Sequence, residues 1–252
     1  MNGFLLPLVI VPPDGWPWLW SYFKFEWENG SYTYLSYLVV LIVFGYFLGN
    51  VNPAIIIGRL KGVDIRKQGS GNAGTTNALR TLGKGVGAVV FLVDVLKGFV
   101  PVFVIKMFAD SWQYSFAPNQ EALLCGLFII LGHMWPMLFR FKGGKGVATT
   151  FGVLLAVAPV VALILIGVVL LTVAVFRMVS LGVMIAAAVA VPLSCFMDLN
   201  PYPMGISELI LPWWILVVAM LILIKHRGNF ERIVSGTESK LKLGKKETAG
   251  GI

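Results

Sequence analysis

The chain has 252 residues, 58% hydrophobic and 13% charged, with a mean hydropathy of +0.84. A soluble domain carries nearer a quarter charged residues, so a water-soluble enzyme is excluded. The expected class is all-α, a polytopic integral membrane protein with one membrane domain. The formal charge is +8, and its placement matters more than its size; no nucleic-acid partner is expected. Cys125 and Cys195 both lie in apolar stretches and read as small core residues rather than a disulfide. With two histidines and no cysteine cluster, no zinc site, and no metal or cofactor, is expected.

Residues 1–33 begin with an apolar stretch that lacks a basic flank and meets Pro7, Pro12 and Pro13, which argues against a secretory signal. Trp16, Trp18, Trp20, Tyr22 and Trp27 follow. Amphipathic aromatics favour the membrane–water boundary, so residues 1–33 read as an interfacial arm. Apolar runs then occupy about 34–58, 86–108, 122–139, 147–176, 179–197 and 209–224. The fourth is too long for one crossing, and Pro159 near its middle would break it. Basic loops stay in the cytoplasm. If residues 147–176 cross twice, all of the 20 Lys and Arg except Lys24, Lys97 and Lys106 fall on one side. The expectation is therefore seven spans over residues 34–230, with the N-terminus outside. A basic tail, 231–252, lies inside.

Three glycine-and-cation clusters fall on that inner side. The first runs from Gly69 through Ser70, Gly71, Asn72, Gly74, Thr75, Thr76 and Asn77 to Arg80. Glycines permit left-handed turns and close approach of backbone N–H groups, small polar side chains add donors, and a guanidinium fits phosphate oxygens. Gly69-x-Gly71-x-x-Gly74 matches a dinucleotide fingerprint by letter, but it leaves one span and enters another, where no βαβ unit fits. A P-loop needs Lys after its second glycine, where Thr75 stands. The bland reading is a loop joining two helices.

In the second cluster, Lys142, Gly143, Gly144 and Lys145 follow the third run. Two lysines could be snorkelling cations, but that leaves the glycine pair unexplained. His133, near the end of that run, reads first as a structural donor. Some membrane acyltransferases carry His-x4-Asp, and here that acid is missing, with Leu138 in the region. The third cluster, Lys225 to Arg232, puts His226 and Asn229 on one helix face and lets Arg227 pair with Glu231. Alone it could be a collar on anionic headgroups. Asp94 and Lys97, three apart within the second run, read as a buried ion pair, though Lys97 with Gly98 could dip toward the site.

These motifs resemble the bacterial acyl-phosphate:glycerol-3-phosphate acyltransferases (the PlsY family). The resemblance lies in Asp64-Ile65-Arg66-Lys67-x-Gly69-Ser70-Gly71-Asn72-x-Gly74-x-Thr76-Asn77-x-x-Arg80, Asp94-x-x-Lys97-Gly98, Gly132-His133-x-x-Pro136 with Phe141 to Thr149, and His226-Arg227-x-Asn229. It covers residues 36–240. It implies a seven-span bacterial inner-membrane protein whose site faces the cytoplasm. The implied reaction moves a fatty acyl group from acyl phosphate to the sn-1 hydroxyl of glycerol 3-phosphate, giving lysophosphatidic acid and phosphate. Membrane lipids surround it, and an enzyme that produces acyl phosphate is a partner the resemblance allows. The implied catalytic residues are Ser70, Arg80, Lys145, His226 and Asn229. The implied substrate-binding residues are Gly69, Gly71, Asn72, Gly74, Thr76, Asn77, Lys97, His133, Lys142, Gly143 and Gly144. The chain departs from the family at Asn50 and Asn52 in the first span, which could reshape that helix, at Thr75 where Ala is usual, and in the N-terminal arm.

Acyl transfer needs a proton acceptor. No carboxylate is placed to orient either histidine, while acyl phosphate carries its own phosphate oxygens. The expectation is substrate-assisted transfer, with Ser70 a hydrogen-bond donor; the alternative makes Ser70 a nucleophile and His226 its base. A different class, a transporter of a phosphorylated metabolite, would place its site near the midplane between repeats. Here the clusters sit at span ends and no repeat is evident.

Overall fold

The computed structural model describes residues 31–109, 119–197 and 210–241. Most of the aromatic arm, the loops around Asp110 and Asp198–Glu208, and Lys242, Lys245 and Lys246 lie outside the described residues. The chain divides into two units, Met1–Val40 and Leu41–Ile252. In the first, the described residues are the opening turns of helix α1 (Ser31–Asn50). All contacts below belong to the second.

Every regular element among the described residues is a helix. After α1 come α2 (Pro53–Leu60), α3 (Thr75–Thr81), α4 (Lys84–Ala109), α5 (Gln120–Met134) and α6 (Val147–Val157). They are followed by α7 (Pro159–Phe176), α8 (Val179–Met197), α9 (Ile210–Lys225) and α10 (Arg227–Val234). Among the described residues, five stretches are long and apolar enough to cross a membrane: Leu35–Leu60, Lys84–Phe108, Gln120–Phe139, Pro159–Phe176 and Val179–Met197. Helices α9 and α10, bent by 57° at His226, pass the same test as a pair. Exposed Leu163, Leu170, Leu171 and Val175 on α7 suit a lipid-facing surface, which in water would be an association patch.

Two interruptions shape the bundle. The run 147–176 divides at Ala158, because Pro159 offers no N–H and disfavours helical backbone before it. Helix α6 is left with 11 residues. The first run does not continue to residue 58 as one helix. It breaks at Val51–Asn52 and restarts at Pro53, with the Asn52 side chain capping Ile55 N at 3.0 Å.

Backbones approach closely where glycines meet. A Cβ on Gly132 of α5 would stand 2.1 Å from Tyr46 O of α1. One on Gly152 of α6 would stand 2.1 Å from Val95 O of α4. Small residues let membrane helices gain packing energy without a hydrophobic driving force. Beneath the first glycine loop sits a compact core of Ala54, Ile55, Ile65, Ala73, Ala78, Val90 and Phe139. It fixes α2, α3 and α4 against the turn at Met137–Phe139.

Candidate active site

The first glycine loop is built around Asn77. Its amide donates to Ile65 O at 3.0 Å and Gln68 O at 2.9 Å, and its Oδ1 accepts from Ser70 N at 3.0 Å. Gly69 lies directly over that oxygen at φ +55°, where a Cβ would come within 2.4 Å; a side chain would unseat the loop. Arg66 is likewise engaged internally. It forks onto Asp64 at 2.9 and 3.0 Å and donates to Phe139 O at 3.0 Å. The Arg66 hydrogen bond holds the Asp64 carboxyl down at about 2. Asn77 and Arg66 thus shape the loop, while Ser70 and Arg80 are exposed at its rim. Thr76 and Asn72 are half-buried, with Asn72 Nδ2 folded against Gly74.

The second loop turns through Arg140 and Phe141, both left-handed at φ +58° and +57°. Gly144 N donates to His133 O at 3.1 Å. A Cβ on Gly144 would meet His133 Nε2 at 2.1 Å and Ala73 O at 2.8 Å. The glycine pair 143–144 therefore lets the second loop lie on the end of α5 and on the first loop at once. Lys142 is exposed, while Lys145 is half-buried just before α6.

Lys145 Nζ rests on Asn229 Oδ1 of α10. Asn229 Nδ2 donates to Glu238 Oε1 at 2.7 Å. Glu238 also accepts from Ser180 Oγ at 2.6 Å and from Arg232 Nε at 2.8 Å. Burial pulls the Lys145 ammonium down to about 8; Glu238 opposes the shift, and Arg232 and Lys225 add to it. The three donors hold the Glu238 carboxyl below the usual carboxylate range despite its burial. Arg80 reaches the same segment, donating to Ser239 O at 3.1 Å. His226 is buried at the head of α10, its Nδ1 2.8 Å from Ile222 O. A carbonyl can only accept, so Nδ1 carries the hydrogen and Nε2 is left as an acceptor.

Lys97 and His133 are placed differently. Lys97 Nζ lies 2.7 Å from Asp94 Oδ1, 2.8 Å from Val51 O and 2.8 Å from His133 Nδ1. The expected Asp94–Lys97 ion pair is formed, and both side chains are buried. Against the expectation that neither histidine has a carboxylate beside it, Asp94 Oδ1 also stands 3.3 Å from His133 Nδ1, because α4 and α5 pack these polar groups together. The Arg227–Glu231 pair does not form among the described residues; Arg232 with Glu238 takes its place. Sequence reasoning missed Ser180 and Glu238. The available signal was weak, since Glu238 is one of three glutamates in the basic tail. It also missed a partly open apolar cavity of about 90 Å³ between α6, α7, α8 and α9. Val147, Thr150, Val183, Ala187, Trp214 and Ile222 help line it, so it begins two residues from Lys145 and four from His226.

A protein-family model described as glycerol-3-phosphate acyltransferase matches residues 39–236. The glycerol-3-phosphate acyltransferase of Clostridioides difficile (strain 630) is 39% identical, over 82% of this chain and 96% of its own length. That of Aquifex aeolicus (strain VF5) is 41% identical, over 79% and 97%. A crystal structure of PlsY (YgiH), an integral membrane glycerol 3-phosphate acyltransferase, in its glycerol 3-phosphate form, superposes with a TM-score of 0.69. It is 40% identical, and the match covers 81% of this chain and 95% of that one. Its lysophosphatidic acid form gives a TM-score of 0.68 at 38% identity. With the family model matched over residues 39–236, and with sequence and fold similarity over nearly the whole of those relatives, the chain belongs to the glycerol-3-phosphate acyltransferase family.

Proposed function

We propose that this chain transfers a fatty acyl group from acyl phosphate to the sn-1 hydroxyl of glycerol 3-phosphate, releasing lysophosphatidic acid and phosphate. The observation that carries this reading is one juxtaposition. A single cation, the Lys145 ammonium donating to the Asn229 amide oxygen, stands at the end of an apolar cavity. A polar phosphate and a hydrocarbon chain can meet there without either leaving its preferred surroundings.

In this reading Lys145, Arg80 and Lys142 take the phosphates, and Asn229 fixes the Lys145 ammonium. The acyl chain lies in the cavity along α6 and α8. The sn-1 oxygen attacks the acyl carbon, the bond from that carbon to the phosphate oxygen breaks, and the hydroxyl proton passes to the departing phosphate. Ser70 and the backbone of the first loop donate to the oxyanion that forms on the acyl carbonyl. Asn77 and the glycines hold the loop rather than the substrate. One observation favours a second proton acceptor: His226 Nε2 is left without a hydrogen. It would relay the proton without any acyl-enzyme.

The protein in this reading is a bacterial inner-membrane enzyme with seven crossings, the short α6 counting as one. Its C-terminus and site face the cytoplasm, and an acyl-phosphate-producing enzyme supplies its donor. The test is purified protein with acyl phosphate and labelled glycerol 3-phosphate. Labelled lysophosphatidic acid is expected, whereas turnover with acyl-CoA alone would sink the donor assignment. Rapid-quench mass spectrometry with donor alone should find no acyl adduct on Ser70. Tags on the two termini should be protease-accessible from opposite faces of sealed vesicles.

A further inference from the structure

The break in the first span is where the two loops meet. Asn52 Nδ2 donates to Ala73 O of the first loop at 3.1 Å. Asn50 Oδ1 accepts from Leu138 N at 3.1 Å, in the turn that leads to the second loop. Beside them, His133 supplies the carbonyl that holds Gly144 N. A helix interrupted inside a membrane leaves carbonyls with no N–H to receive. Lys97 Nζ answers this by donating to Val51 O at 2.8 Å, with Gly49 O at 3.4 Å. Its other neighbours are Asp94 Oδ1 at 2.7 Å and His133 Nδ1 at 2.8 Å.

An ammonium has three hydrogens. Lys97 Nζ has four protein groups within 3.4 Å, Val51 O, Gly49 O, Asp94 Oδ1 and His133 Nδ1, more than it has hydrogens, so its surroundings are already filled by the protein. A buried ion pair is a poor way to gain stability alone, since apolar replacements are often as stable. What this one does is tie three elements together: the broken span through Val51, α4 through Asp94 and Lys97, and α5 through His133.

We infer that Lys97, with Asp94 and His133, pins the break in the first span and so sets the spacing of the two glycine loops, making Lys97 a positioning residue rather than a substrate contact. The inference rests on the acyltransferase reading for its consequence in turnover, but its geometry does not depend on it.

The test is the paired variant Asp94→Asn/Lys97→Met, which removes both buried charges together. Three readings are taken beside the parent protein: thermal midpoint, KM for glycerol 3-phosphate, and amide hydrogen exchange. The midpoint should stay within about 5 °C of the parent, as for other neutralised buried pairs. KM should rise about tenfold, because displaced loops would lose about one charge-assisted contact to the substrate phosphate. Exchange should quicken at Gly144 and in residues 69–74 and stay unchanged in α7 and α8. Parent-like loop exchange in a stable variant would overturn the inference, whether KM is parental or raised, since a raised KM with unmoved loops would mark Lys97 as a direct substrate contact. Should that variant fail to accumulate, Asn52→Ala probes the same hub with the ion cluster untouched. It should quicken exchange in residues 69–74 and raise KM, and parental values of both would equally overturn the inference. A parent protein that makes no lysophosphatidic acid would defeat the acyltransferase reading alone, because the exchange result does not require turnover.

Discussion

The ammonium of Lys145 rests on the side-chain carbonyl of Asn229, 84 residues further along the chain. Asn229 presents that oxygen because its amide nitrogen is turned to Glu238. An amide has one oxygen face and one nitrogen face, so fixing the second aims the first.

Lys145 should therefore show in the pH dependence. Its ammonium loses its proton near 8 instead of 10.5. Glu238, Arg232, Lys225 and His226 face it, and Arg80 lies one residue from Glu238 at Ser239. KM for glycerol 3-phosphate should rise with pH above about 8, up to about tenfold per unit. The stability contribution runs the other way. The unfolded chain binds the proton more tightly, so between about 8 and 10.5 folding becomes more favourable as pH rises. Lys145→Arg should flatten the alkaline limb, and Lys145→Ala and Arg80→Ala should each raise KM by about tenfold to a hundredfold. Arg80→Lys should not recover fully, because an ammonium lacks the fork. A KM that is flat across this range would remove Lys145 from the site.

Glu238→Gln keeps the shape and removes the charge. Glu238 opposes the other influences on Lys145, so without it the alkaline limb should move to lower pH. Arg232 also loses its ion pair, whose guanidinium is half-exposed and whose carboxylate is buried, so thermal midpoints are measured beside the pH profiles. The measurement is KM against pH for parent and variant. An unshifted limb with intact protein would show that the carboxylate does not act on Lys145.

The cavity makes a prediction about chain length. Ala187 and Ala190 lie on its α8 wall. Ala187→Phe would fill part of it, and kcat/KM for long acyl phosphates should fall about tenfold or more relative to short ones. Overpacking also costs about 1–3 kcal/mol of stability, so thermal midpoints belong beside the rates. Equal losses for long and short donors would place the chain elsewhere.

The sequence made residue types legible better than partners. Hydropathy and Pro159 were enough to expect an all-helical membrane chain with a division near Ala158. Glycines beside cations marked both loops, and three-residue spacing marked His226 with Asn229 and Asp94 with Lys97. What could not be read was where each polar group points. Asn77 has the composition of a substrate donor, yet it is the core of its own loop. Lys97 reaches back 46 residues to Val51 O, and Glu238 joins Ser180 across 58. Such pairings depend on how helices are stacked, which local periodicity does not carry. Asn50 and Asn52 were visible as oddities in an apolar run; their meaning came from Leu138 and Ala73.

Those two asparagines also order events during biogenesis. Asparagine is a poor passenger in hydrocarbon, and the first segment contains two of them. Asn52 finds Ala73 only after some 20 more residues have been made, and Asn50 waits for Leu138, 88 residues on. Replacing both with leucine would make the segment a better substrate for membrane insertion and a worse foundation for catalysis. The nascent chain thus enters the bilayer with its site unassembled. The hub can close only when α5 arrives beside α1.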